Sequence, residues 1–110
     1  MITVHTNNVQ ELIKKINELI SNNKFGYWKI DDDGDYFLDD YRDKVWITCR
    51  VEEYDPTLIM FCIIRGRDTT LTKCMYAINH CNFLQALLMH FDDDITSIYV
   101  SPLITKFDKC

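Results

Sequence analysis

The run from Leu58 to Ile64 constrains this chain more than any other stretch. Its seven successive residues are all apolar (Leu, Ile, Met, Phe, Cys, Ile, Ile), and turn-forming Asp55-Pro56 and Arg65-Gly66-Arg67-Asp68 close it on either side. It falls far short of the ~20 apolar residues that a membrane helix requires. A short strand that is apolar on both faces belongs in the middle of a sheet and is covered twice. Residues 57–65 are therefore read as a central strand. Residues 44–54 alternate instead, with Val45, Ile47, Cys49 and Val51 on one face and Trp46, Thr48, Arg50 and Glu52 on the other. That pattern predicts a neighbouring strand with one wet face.

Other elements can be arranged around this pair. Residues 27–31 and 36–39 are aromatic-rich segments on either side of Asp32-Asp33-Gly34-Asp35, a hairpin signal. Residues 69–78 alternate and are read as a further strand, residues 2–5 as a short first strand, and Ile95–Val100 as a last one. Val9, Leu12, Ile13, Ile16, Leu19 and Ile20 form one apolar stripe, predicting a helix over residues 8–22. Asn8 and Glu11 have capping-box spacing, and Asn22-Asn23 suits the helix end. A second helix is predicted to start at Asn79 or Asn82 and run to about residue 92. Phe83, Leu84, Ala86, Leu87, Leu88, Met89 and Phe91 surround most of it, so it is either a core helix or half of an interface. Phe83, Leu87 and Phe91 are its candidate self-association residues.

The expected fold is a single α+β domain over residues 1–110. It has an N-terminal amphipathic helix, an antiparallel meander sheet of about four to six strands, a second apolar helix near residues 80–92 and a final short strand. A chain of 110 residues can bury one core without metal or disulfide staples. No secretion signal opens the chain, and the expected location is the cytoplasm. Five cysteines, an odd number with no CxxC pair, fit a reducing compartment. Cys49, Cys62, Cys74 and Cys81 are read as small buried hydrophobes and Cys110 as a terminal thiol. Abundant Ile, Asn, Asp, Lys and Tyr match A/T-rich codons and suggest an A/T-rich genome or a mobile-element origin.

Chemical signatures are sparse. Placing Gly34 at the sixth position of a calcium loop aligns Asp31, Asp33 and Asp40 with ligand positions, but Lys29 falls where the first carboxylate belongs. An acidic hairpin turn is the expectation, with no metal and no cofactor. His80 and Cys81 are adjacent, which on a helix turns them about 100° apart and prevents a nucleophile–base pair. His90 is expected to sit at a helix end, paired with Asp94. Three glycines spread over the chain cannot build a phosphate loop.

Charge is the most uneven property. Residues 31–55 hold ten carboxylates against three cations, whereas the whole chain carries −5. Such a region repels nucleic-acid phosphate and attracts a basic protein surface. The sequence thus predicts a small acidic interaction module, non-enzymatic and of inhibitor, immunity or adaptor type. The candidate partner-binding residues are Asp31, Asp33, Asp35, Asp39, Asp40, Asp43, Trp46 and Glu52, with neither nucleic acid nor membrane as partner. Two alternatives are a small-molecule or enzymatic pocket between sheet and helices, and a homodimeric structural protein.

Overall fold

The computed structural model describes residues 1–101 and 108. Six strands, all antiparallel to their neighbours, form one sheet: β1 (Ile2–Thr6), β2 (Trp28–Ile30), β3 (Tyr36–Leu38), β4 (Val45–Val51), β5 (Leu58–Arg65) and β6 (Ile95–Val100). Helix α1 spans Val9–Ser21 and α2 spans Lys73–Phe91. The spatial order is β2-β3-β4-β5-β1-β6. The predicted meander is therefore β2 to β5, and the first and last strands complete the sheet beside β5.

Register explains how one face became the core. Ile47 pairs with Ile63, Phe61 with Ile2, and Val4 with Ile98, so these side chains share a face. Val9, Leu12, Ile16 and Ile20 of α1 join them in one buried cluster, as do Phe83, Leu87 and Phe91 of α2. Both helices therefore lie on the same side of the sheet. The ring of Phe83 is at the centre, 4.8 Å from Phe61, 5.0 Å from Trp28 and 5.6 Å from Tyr36. On the other face of β5, Met60 and Cys62 are also buried, as the doubly apolar run requires.

Local chemistry fixes the boundaries. Asn8 caps α1 by accepting the Glu11 N–H at 3.1 Å, and Asn23 leaves the helix in the left-handed region. Gly66 N–H donates to the Lys44 carbonyl at 2.6 Å, joining the end of β5 to the turn before β4. A Cβ at Gly66 would run into the carbonyl oxygen of Asp43. Gly66→Ala is therefore expected to lose about 1–3 kcal/mol, measured as a lower urea midpoint, through displaced backbone.

The second helix departs from its predicted limits. Residues 69–78 do not form a strand; α2 begins at Lys73, capped by Thr72, whose hydroxyl accepts the Met75 N–H at 3.1 Å. Two expectations about cysteines change with it. Cys74 and Cys81 lie on the exposed side of α2, whereas Cys62 is buried and Cys49 half-buried. Asp94 pairs with Lys15 at 3.3 Å, in place of the expected His90. Apart from Asp108, the predicted tail from residue 103 lies outside the described residues.

Candidate functional site

The β2–β3 hairpin holds the first group of acids. Gly34 occupies the left-handed region at φ +85°, and the Asp31 N–H donates to the Asp35 carbonyl at 2.9 Å. Asp31 Oδ1 accepts two backbone N–H groups, from Asp33 at 3.0 Å and Asp35 at 2.9 Å. Its carboxylate thus folds the turn, a role typical of aspartate at such positions. Among the described residues, no group of three or more His, Cys, Asp or Glu side chains could hold a metal ion.

Antiparallel pairing divides the predicted acids between two ends of the sheet. Asp33 and Asp35 share the hairpin end with Glu52, which follows β4 in an exposed turn. Asp39 and Asp40 occupy a single 3₁₀ turn at the opposite end, and Asp43, at φ +64°, follows them. Because β3 has only three residues, parts of both groups still meet around its outer face. Ile30, Asp31, Asp32, Phe37, Arg42, Asp43 and Trp46 line a recess of about 290 Å³. Trp46 is half-buried there, on the sheet face opposite the helices, beside Ile64 of β5.

Ile30, Asp32, Phe37 and Arg42 of this recess were not among the predicted binding residues, and the last two form a pair. The Arg42 guanidinium lies 4.8 Å from the centre of the Phe37 ring and donates to Asp39 Oδ1 at 2.8 Å. A cation held between an aromatic face and a carboxylate is stabilised from both directions. Phe37 could have been found by alternation, since it points opposite to Tyr36 and Leu38. Arg42 carried no sequence signal beyond its place among acids.

Phe83, Leu87 and Phe91, expected as self-association residues, are at most 4 % exposed within the single chain. Their rings and methyl groups are taken up by its own core. The exposed large apolar residues of α2 are Leu88 and Met89. The space between sheet and helices, where a small-molecule pocket was the alternative, is filled by Phe25, Phe61, Phe83 and their neighbours.

A buried polar cluster beside β5 was also missed. Asp108 Oδ1 accepts the Ile63 N–H at 2.8 Å, while Oδ2 accepts the Tyr76 hydroxyl at 3.0 Å and lies 3.5 Å from the Met1 ammonium. His80 stacks edge-on to Tyr76 at 4.1 Å and is 3 % exposed. Neither of its ring nitrogens has a hydrogen-bond partner among the described residues. Burial, followed by the Met1 ammonium, depresses its pKa to about 4, although Asp108 acts in the opposite direction. Burial likewise pushes the Cys49 thiol up to about 12 and raises that of Cys62, which keeps both from acting as thiolates at neutral pH.

No family model matches this chain, and no curated protein or solved structure matches it either. The chain is a small α+β domain. Within the described residues it shows no metal-ligand cluster and no helix long and apolar enough to cross a membrane.

Proposed function

We propose that this protein is a non-enzymatic interaction module that docks a basic segment of a partner protein at the β2–β4 recess. Arg42 carries this reading: the chain's own guanidinium lies over Phe37 with a carboxylate beside it. A partner arginine or lysine would meet the same chemistry from Asp31, Asp32 and Asp43, with its aliphatic stem against Trp46. Asp33, Asp35, Asp39, Asp40 and Glu52 surround the recess as a field that speeds encounter. The aromatic filling of the interior supports surface docking over a ligand pocket. An inhibitor, immunity or adaptor role fits such a surface.

Calorimetric titration with an arginine-rich peptide tests the proposal. Trp46→Ala should weaken binding about 30-fold, the effect of losing an interface anchor. Asp32→Asn with Asp43→Asn should weaken it further and flatten its dependence on salt. Equal affinity of parent and variants for the peptide would refute the recess as the docking site.

A further inference from the structure

The two edges of the sheet are built differently. At one edge, β2 is three residues long, carries Lys29 at its middle and runs into the acidic hairpin. Short length and charge are the usual protections against strand addition. At the other edge, β6 is six residues long and contains no charge, proline or glycine (Ile-Thr-Ser-Ile-Tyr-Val). Among the described residues no strand pairs with its outer side.

Pairing on its inner side reveals which groups the outer side offers. Ser101 N–H donates to the Met1 carbonyl at 3.0 Å, and Ile2 faces Val100. Hydrogen-bonding direction alternates along an antiparallel strand. Ser97, Tyr99 and Ser101 therefore turn their backbone groups toward β1, leaving those of Ile98 and Val100 directed outward. The usable stretch has natural limits. Register slips between His5↔Ser97 and Thr6↔Ile95, which leaves Thr96 as an extra, bulged residue. Pro102, which has no N–H, follows Ser101 in the sequence. The stretch between these limits is centred on Tyr99.

We infer that β6 is a homodimerisation edge, pairing antiparallel with β6 of a second copy about a two-fold axis at Tyr99. In this register Ile98 faces Val100 of the partner copy, and the reverse. The outward groups then satisfy one another in about four hydrogen bonds. Ile98 and Val100, half-buried on the core side, would extend the apolar core across the seam. Tyr99, 64 % exposed on the opposite face, would meet its own counterpart.

Charge placement favours a second copy despite its −5. The acidic recess is at the far edge, five strand spacings or about 24 Å away. Asp92, Asp93 and Asp94 precede β6, and antiparallel pairing sets them beside the other chain's Ser101 end, apart from their own equivalents. With β2 blunted, head-to-tail addition has no matching edge, so the assembly closes at two chains.

Sedimentation of the full chain from about 1 to 200 µM tests this inference, because a dimer forms by mass action. The expected result is a shift from one 13.1 kDa chain toward two, with Ile98 and Val100 amides exchanging more slowly at high concentration. Tyr99→Lys and Tyr99→Glu, at an exposed position that spares the core, should each weaken the dimer about tenfold or more by opposing like charges. Mixing the two variants should restore it. A parent that stays monomeric throughout, a mass beyond two chains, or a dimer indifferent to both variants would overturn the inference. Recess variants leave this readout untouched, so the docking proposal stands or falls separately.

Discussion

Phe83→Ala should lower the stability of this protein by about 4 kcal/mol, the usual cost of truncating a fully buried phenylalanine. The ring is 0 % exposed and has four aromatic neighbours, of which Phe25 makes an edge-on contact at 5.7 Å. These neighbours come from β2, β3, β5 and the loop after α1. The void would therefore open where the helical layer meets the sheet, and no single side chain could collapse into it. Native proteins have about 5–15 kcal/mol in total, so this one loss takes between about a quarter and most of the stability. Urea denaturation measures the loss, with Leu88→Ala as a surface control expected to change stability by less than about 0.5 kcal/mol. A loss below about 1 kcal/mol for Phe83→Ala would contradict the placement of this ring at the centre of the core.

Acid should act on this protein through His80. In the unfolded chain its imidazole takes up a proton near 6.5, and in the folded chain only near pH 4. Between those values the unfolded state binds more protons, so stability falls as the pH drops through that window. The contribution of this one side chain approaches about 3 kcal/mol at the acid end. The groups facing it are Tyr76 on its own helix, the Met1 ammonium and the Asp108 carboxylate, and other acids of the chain contribute to any acid transition. The informative quantity is therefore the difference between the parent and His80→Leu. At pH 7 the variant should be more stable by about 1–2 kcal/mol, because two unpartnered buried nitrogens are gone. The difference should widen as pH falls from 6.5 to 4. Parallel stability curves for the two proteins would show that His80 is solvated in the folded state.

His80 also explains why α2 was hard to read. Residues 75–80 place Tyr76, Asn79 and His80 on the buried side, so the apolar period that marks a helix is broken by two polar residues. Meanwhile Thr69, Thr70, Leu71 and Thr72 imitate a β-rich alternation, although Thr72 serves as a cap. Where pattern and burial agree, the reading holds: β5, β6 and the α1 stripe need only the period of their own residues. The recess was legible in part. Acid clustering and the outward aim of Trp46 are local properties, visible along one strand. The position of Arg42 over Phe37, and the separation of Asp35 from Asp39 by the length of β3, depend on the register of three strands. Asp108 was invisible for the same reason, since its partners are 45 and 32 residues away.

The place of β1 in the sheet also orders events in time. Ile2 to His5 pair with residues 58–61 on one side and residues 97–100 on the other. During synthesis β1 is therefore without either neighbour until residues 58–61 have emerged. The β2–β5 meander, whose pairings span short loops, has all of its partners earlier. Until β6 is synthesised, β1 can be held only along its β5 edge, and the sheet closes around a strand made before both of its neighbours.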